Sequence, residues 1–356
     1  MADPAGQRNA ARASDKGGRL TIFFTSNQTA RSVYSKTNKT MKTTPKLPHQ
    51  DDRLYISDGG LETTLIFLNG IDLPCFAAFD LLKSDAGTGT LRDYYRTYAA
   101  MARDHATGFI LESPTWRASP DWAAKLGYDA AALAAANRAA IDLMHGLRAE
   151  YETADSPFVI SGCVGPRGDG YQPGALMTAA EAAAYHAPQI QVFREEDVDL
   201  ITAVTMNDIG EAIGIADAAA EAGIPSVISL TTETNGRLPT GHSLAEAITV
   251  IDATARVAPA YYMINCAHPT HFHDALPDEA PWLDRILGVR ANASCRSHAE
   301  LDESTDLDAG DPHDLAEQYL RLREKLSRLC ILGGCCGTDH RHIHAMCGSF
   351  LPSIRH

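Results

Sequence analysis

The sequence lacks the features that would identify a membrane or secreted protein. Its apolar runs are short, and none approaches the roughly 18 residues that a membrane-spanning helix needs. No apolar signal peptide precedes its eight cysteines, and eight cysteines in 356 residues do not make a disulfide scaffold. These absences predict a reducing, cytoplasmic compartment, in which the thiols serve packing, metal binding or catalysis.

Positive charge is also scarce. The chain has 31 Lys and Arg residues against 45 Asp and Glu residues, which gives a formal net charge of -14. A nucleic-acid partner needs a basic face to bind phosphate, so this balance argues against one. We expect small-molecule partners only, no membrane contact, and a monomer or weak homo-oligomer.

The first 50 residues differ from the rest in composition. They carry nine Lys and Arg residues against two Asp residues, are rich in Ser, Thr and Ala, and show no apolar periodicity. This composition predicts a disordered leader over residues 1–50. We favour an over-extended start, with Met41 as the true beginning, over an organellar transit peptide, which would move the protein to an organelle.

From residue 54 onward, short apolar runs rich in β-forming residues alternate with segments of helical composition. The helical segments include 131–151, 208–223 and 311–326. The strand candidates are 54–57, 109–111, 158–162, 199–204, 225–230, 261–265, 286–293 and 329–334.

Strands that alternate with helices indicate parallel pairing through right-handed crossovers. Eight such units predict one α/β domain, a closed (β/α)₈ TIM barrel over residues 51–352. An open, doubly wound sheet is the alternative, but it favours a glycine-rich phosphate loop after the first strand. The segment "SDGGLETTL" at 57–65 is not G-x-G-x-x-G, and no Walker motif occurs.

In such a barrel the chemistry gathers at the carboxyl ends of the strands. Three cysteines stand at these ends, Cys266 after the sixth strand candidate and Cys335 and Cys336 after the eighth. One strand separates the two ends, so their loops are expected to meet. The other strand-end residues are Asp58, Glu112, Cys163, Val204, 231–233 and Asn292.

The neighbouring cysteines in "LGGCCGT" (332–338) allow three interpretations. A disulfide between adjacent residues is strained and rare, whereas free cysteines often pack as small hydrophobes. Glycines on both sides favour a backbone that turns both sulfurs toward one point. With Cys266 this would give three thiolate ligands and one open position, the pattern of a catalytic zinc site. Spacing alone leaves packing and zinc equally open.

An open three-cysteine zinc site favours a particular chemistry. A free thiol, with a pKa of about 8.5, would bind at the fourth position as a thiolate. Three anionic ligands outweigh the charge of the metal, which weakens it as a Lewis acid toward water and leaves the bound sulfur electron-rich. The expected reaction is therefore alkylation of a small thiol, not hydrolysis.

Several motifs resemble those of the homocysteine S-methyltransferases, a family of zinc-dependent barrels that methylate thiols. The matching stretches cover about residues 54–350. They are "SDGGLETTL" (57–65), "GCVGPRGD" (162–169), "YHAPQI" (185–190), "INCAHP" (264–269) and "LGGCCGTDHRHI" (332–343).

This resemblance implies that Cys266, Cys335 and Cys336 are both zinc ligands and the catalytic centre, and that Asp58 and Gly59 meet the amino-acid part of the substrate. The implied reaction moves a methyl group from a sulfonium or ammonium donor to a thiol, as when homocysteine becomes methionine. The sequence ends soon after the last helix candidate, without the C-terminal arm of betaine-using relatives. We therefore expect S-methylmethionine or S-adenosylmethionine as the donor.

Two departures from the family pattern bear on the substrate. The family commonly reads "FET" after the fourth strand, where this chain reads "AVT" at 203–205. The family's "TTNTY" becomes "ESPTW" at 112–116, followed by Arg117. Glu112 is predicted to bind the substrate ammonium in place of the missing glutamate, with pairing to Arg117 as the alternative.

Other positions leave alternatives open. Thr115 and Asn265 are candidate substrate contacts, and Asn265 could instead hold Cys266 in place. Trp116, Trp122 and Tyr171 are candidates for the pocket wall, where an aromatic face would suit a sulfonium. A histidine metal site is the weaker alternative and would use His268, His271 and His273.

Two alternative functions are left open as well. The first is zinc-thiolate alkyl transfer with a different thiol, selenol or donor. The second is a non-catalytic protein that stores zinc or senses redox state.

Overall fold

The computed structural model describes residues 46–354. Most of the predicted leader, residues 1–45, lies outside this range. Its last residues are described, and they pack: Pro48–Gln50 form a 3₁₀ turn and Leu47 is buried. Residues before 51 therefore also take part in the packing of the described chain.

Eight parallel strands form a closed barrel in chain order, which confirms the predicted (β/α)₈ fold. The barrel closes where Tyr55 pairs with Ile331 and Ile56 with Leu332. The strands are β1 Tyr55–Ile56, β2 Gly108–Glu112, β3 Phe158–Val164, β4 Leu200–Met206, β5 Ser226–Leu230, β6 Tyr261–Asn265, β7 Ile286–Ala291 and β8 Ile331–Gly334.

Helices surround the barrel and fill the connections between strands. Within residues 46–354, none of them is both long and apolar enough to cross a membrane. The α-helices are α1 Leu61–Thr63, α2 Asp85–His105, α3 Pro120–Lys125, α4 Ala130–Tyr151, α5 Ala179–Glu195, α6 Ile209–Ala222, α7 Leu244–Thr254, α8 Pro269–Phe272, α9 His298–Asp302, α10 Pro312–Lys325 and α11 His340–Ile354. A π-helical turn, Thr64–Leu68, follows α1, and 3₁₀ turns occur at Pro74–Phe76, Ala78–Lys83, His273–Ala275 and Pro281–Arg285.

The sequence signals for helix starts agree with the observed caps. The Asp311 side chain accepts hydrogen bonds from the first turn of α10, and Pro312 occupies its first position. Thr178 and Glu181 form a reciprocal capping box at the start of α5. These caps fix where each helix begins and hence the length of the loop before it.

The core has two main layers. The larger cluster lies between the outer face of the barrel and the helices. The second cluster takes at least one residue from each strand and therefore fills the barrel interior; Leu47 packs against it. Its members include Tyr55, Ile110, Val159, Leu200, Val227, Tyr261, Leu287 and Ile331. This packing closes the amino-terminal end of the barrel and leaves the carboxyl ends of the strands free for a site.

Candidate active site

A cavity of about 470 Å³ opens at the carboxyl ends of the strands. Several of the residues that the sequence placed at the strand ends line this cavity, and they come from six of the eight strands or from the loops that follow them. These residues are Asp58, Glu112, Cys163, Val204, Cys266, Cys335 and Cys336. Gly59 and Asn265 line it as well.

Three cysteine sulfurs meet in this cavity. The Sγ atoms of Cys266, Cys335 and Cys336 all lie within 4.8 Å of one another. Cys266 and Cys335 are joined as a disulfide, and Cys336 is free. No other group of three or more His, Cys, Asp or Glu side chains in residues 46–354 converges in this way. The candidate histidine site at His268, His271 and His273 is thus not formed.

The backbone around the cysteines is bent and tightly packed. Cys266 has a left-handed conformation, with φ of 53°, which a non-glycine residue rarely adopts. A Cβ atom on Gly60 would lie 2.5 Å from the carbonyl oxygen of Cys335, so only glycine fits there. Strained conformations of this kind cluster at functional sites.

Asn265 holds Cys266 through a buried hydrogen-bond network. Its amide nitrogen donates to the Cys266 sulfur at 3.1 Å and to the Thr205 hydroxyl at 2.9 Å. Its amide oxygen accepts from the Thr205 backbone N–H at 3.0 Å and from the Ser229 hydroxyl at 2.6 Å. Because these hydrogen bonds use its polar atoms, Asn265 chiefly positions the Cys266 side chain, although it also lines the cavity.

The three sulfurs suit a soft metal ion. Burial raises the pKa of the Cys336 thiol to about 11, so without a nearby cation it is protonated at neutral pH. Soft thiolate donors select zinc or copper(I), and three protein ligands leave one position for a substrate. In the reduced state the cluster is therefore a fitting donor set for zinc.

A buried ion cluster lies beside the cysteines. The Arg290 guanidinium donates to Asp58 at 2.6 Å and to Glu112 at 3.0 Å. Burial lowers the pKa of Arg290, but the two carboxylates raise it by more, so it is charged. One cation from β7 therefore stands between two acids from the ends of the neighbouring strands β1 and β2.

Glu112 does not pair with Arg117, as the alternative interpretation supposed, because Arg290 takes its Oε2 atom. Its other oxygen, Oε1, is buried and makes no hydrogen bond of good geometry within the described residues, although the Ser161 and Thr202 hydroxyls interact with the carboxyl and oppose the rise in its pKa that burial causes. Both oxygens of Asp58 already accept a hydrogen bond, since Tyr94 donates to its second oxygen at 3.1 Å. Oε1 of Glu112 is thus the carboxylate oxygen of this cluster that lacks a well-formed hydrogen bond.

Glu62, in the first turn of α1, adds a third acid to the cavity wall. Burial raises the pKa of its carboxyl to about 7, and the negative charge of Asp58 adds to this. Its charge therefore changes close to neutral pH.

Arg117 lies on the same wall between two tryptophans. Its guanidinium carbon is 3.9 Å from the centre of the Trp116 ring and 3.7 Å from that of Trp122. Both tryptophans and Tyr171 line the cavity, as the sequence suggested.

Thr115 is the predicted contact that does not line the cavity. It is fully buried, and its hydroxyl donates to the Cys163 carbonyl oxygen at 2.7 Å. Its hydroxyl therefore links β3 to the loop after β2 and does not point to a substrate.

Sequence reasoning missed Arg290 and Glu62. Arg290 had a visible signal, because it is the one charged residue in the apolar segment 286–293. A charge inside a strand that is otherwise buried calls for a partner. Glu62 had no such signal, since an acid in the first turn of a helix is common.

Comparisons with known proteins agree with this architecture. A family model described as homocysteine S-methyltransferase matches residues 55–350. No curated protein matches the sequence significantly.

Among solved structures, the homocysteine methyltransferase MmuM from Escherichia coli is similar in fold. Its oxidized form superposes with a TM-score of 0.65 at 18% identity, covering 84% of this chain and 97% of that one. Its metallated form has a TM-score of 0.63 at 18% identity, covering 84% and 96%. At this identity the structural likeness establishes the fold.

Proposed function

Because the chain belongs to the homocysteine S-methyltransferase family and is therefore a methyltransferase, we propose that it moves a methyl group from a sulfonium donor to a small thiol with the help of Zn²⁺. Homocysteine is the acceptor we expect, with methionine as the product. S-methylmethionine and S-adenosylmethionine are the candidate donors.

The convergence of three cysteine sulfurs within 4.8 Å carries this proposal. We propose that Cys266, Cys335 and Cys336, in their reduced form, hold the zinc ion. When bound, the ion would stabilise the thiolate form of the acceptor thiol at neutral pH. Asn265 supports this assignment, because its hydrogen bond fixes the direction of the Cys266 sulfur.

The transfer itself needs little from the protein beyond orientation. The acceptor sulfur attacks the methyl carbon, and the bond from that carbon to the donor sulfonium breaks. A thiolate and a cation become two neutral thioethers, so a cavity with little water favours the reaction. Trp116, Trp122 and Tyr171 line this cavity and exclude water from it, but the stacked Arg117 guanidinium already covers both tryptophans.

The acidic side of the cavity is proposed to bind the amino group of the substrate. Asp58, Gly59 and Glu112 line it, and the Oε1 atom of Glu112, which lacks a well-formed hydrogen bond, is the acceptor best suited to an ammonium. Thr115 is dropped from this set because its hydroxyl is engaged with the backbone.

A different thiol, selenol or donor is the second candidate. It draws support from Val204 in the cavity wall, where the family pattern has a glutamate, and from the buried Arg290. These two residues change the charge of the wall but leave the cysteine cluster intact. Cytoplasmic location and a monomeric or weakly associated state stay predictions.

The decisive experiment is a donor and acceptor panel on protein prepared with reductant and zinc, read by mass spectrometry. We expect about one zinc ion per chain and methylation of homocysteine by a sulfonium. The Cys336→Ser variant should lose both the zinc and the activity. A protein that keeps no metal, and whose thiols oxidise reversibly without any turnover, would instead be a redox sensor.

The same panel tests Glu112. Glu112→Gln should raise the KM for homocysteine. It should leave the KM unchanged for an analogue of homocysteine that lacks the amino group. An unchanged KM for homocysteine would remove Glu112 from the substrate site.

A further inference from the structure

Arg117 is a buried cation without a close anionic partner. It is 6% exposed, yet its nearest carboxylate is that of Asp169, with 3.9 Å between Nη2 and Oδ2. The Asp169 side chain is 48% exposed, and its Oδ1 atom already accepts from the backbone N–H groups of Tyr171 and Gln172. Asp169 therefore compensates Arg117 poorly.

Arg290 in the same cavity shows the contrast. It meets two carboxylates at hydrogen-bonding distance, and these raise its pKa. Burial lowers the pKa of Arg117, and the surrounding acids raise this pKa by less than burial lowers it. A buried charge is stable only when paired, so Arg117 lacks a partner that a ligand can supply.

The donors of Arg117 are only partly used. Nη1 donates to the carbonyl oxygen of Gly168 at 3.0 Å. Nε is buried and has no hydrogen-bond partner in the described part of the chain, and the same holds for Nε1 of the adjacent Trp122. Stacking between Trp116 and Trp122 fixes the guanidinium plane, so the group is preorganised for a planar anion.

We propose that Arg117 binds the carboxylate of an amino-acid substrate and sets specificity for substrates that carry one. The proposal deepens, and rests on, the proposed function. Carboxylate is the anion that matches a fixed guanidinium fork, and both the acceptor thiol and S-methylmethionine carry one. Arg117 and the acidic cluster line the same cavity, so together they would recognise the two charges of an amino acid.

The test compares substrates with and without a carboxylate in wild type and Arg117→Met. One arm sets homocysteine against 3-aminopropanethiol, and the other sets S-methylmethionine against the corresponding sulfonium without a carboxylate. For the substrate that Arg117 binds, we expect the variant to lose about 10- to 100-fold in kcat/KM, mainly through KM, while the carboxylate-free analogue is unaffected. The arm that responds identifies the substrate concerned.

Two further variants separate recognition from folding. Arg117→Lys keeps the charge without the planar fork and should retain part of the discrimination. Arg167→Met is the matched control, because Arg167 also stacks on an aromatic ring, that of Tyr185, but pairs closely with Asp121 outside this cavity. An equal loss for both members of each substrate pair would overturn the proposal and leave Arg117 a structural role.

A binding measurement keeps this test independent of turnover. In a Trp282→Phe background, the two remaining tryptophans of the sequence, Trp116 and Trp122, flank Arg117 and report ligands through their fluorescence. If no donor and acceptor pair reacts, the proposed function fails. The carboxylate site is supported even then if homocysteine or S-methylmethionine quenches the fluorescence of the protein that keeps Arg117 but not that of the Arg117→Met variant. Absence of quenching by both ligands overturns it.

Discussion

Arg290 is the residue on which the charge balance of the cavity depends. Its removal would leave Asp58 and Glu112 facing each other without a cation, both of them buried. We expect Arg290→Met to lower the free energy of unfolding by about 3–5 kcal/mol at neutral pH, measured by chemical denaturation. The exposed pair of Arg138 and Glu195 is the control, and Arg138→Met should cost about 1 kcal/mol or less.

A triple variant checks the cause. Adding Asp58→Asn and Glu112→Gln to Arg290→Met removes the two stranded charges and should recover a large part of the loss. If Arg290→Met is no more destabilising than Arg138→Met, the cluster does not contribute as argued.

Titration of Glu62 is expected to make donor binding depend on pH near neutrality. The pKa of its carboxyl is about 7 in the folded protein, because burial disfavours the charged form and Asp58 adds to that, while Arg290 and Arg117 oppose it. As the pH rises through 7, Glu62 becomes negative and should strengthen binding of a cationic sulfonium. Donor affinity measured by calorimetry without acceptor should therefore rise with pH in wild type and stay flatter in Glu62→Gln.

The effect of Glu62 on the free energy of unfolding has the opposite direction: this free energy decreases as the pH rises. A carboxyl with a raised pKa binds more protons in the folded state than in the unfolded state between pH 4.5 and about 7. Glu62 therefore lowers the free energy of unfolding as the pH rises through that window, and Glu62→Gln should reduce this decline. A variant with the same pH profile as wild type would show that Glu62 does not titrate there.

Among the elements, helix α11 follows directly on the cysteine loop, and Asp339 sets its first turn. The Asp339 side chain accepts from the backbone N–H of Arg341 at 2.9 Å, as an N-terminal cap does. We expect Asp339→Ala to cost about 1–2 kcal/mol in denaturation experiments, and Asp339→Asn to cost less because its amide oxygen still accepts. Equal losses would mean that the charge, not the cap, is what matters.

The elements themselves could be predicted well from the sequence. The strand candidate at 261–265 coincides with β6 Tyr261–Asn265, and the helix candidate at 131–151 is α4 Ala130–Tyr151 to within one residue. Buried parallel strands appear as continuous apolar runs, which is why they were visible. Short helices such as α8 Pro269–Phe272 were not predicted, because four residues carry no helical periodicity.

At the scale of the whole molecule, barrel closure determines which strand ends meet. The sequence indicated that three cysteines would stand at one end of the barrel, because strand order alone places them there. It did not indicate that Arg290 would reach both Asp58 and Glu112, which lie 232 and 178 positions away in sequence. Pairings across the barrel mouth depend on side-chain length and tilt, which no local pattern encodes. For the same reason, the sequence suggested Arg117 as an alternative partner of Glu112, whereas in the structure Arg117 stacks on tryptophans.

The distribution of the cysteine trio along the chain has a consequence for biosynthesis. A polypeptide that the ribosome has extended only to residue 334 carries one of the three sulfurs, and β8, the strand before the other two, pairs with both β7 and β1. Under the proposed zinc assignment, a product that stops at residue 334 has only one of the three ligands for the ion. Metal loading must then follow synthesis of Cys336, and metal content would report how many molecules have completed the barrel.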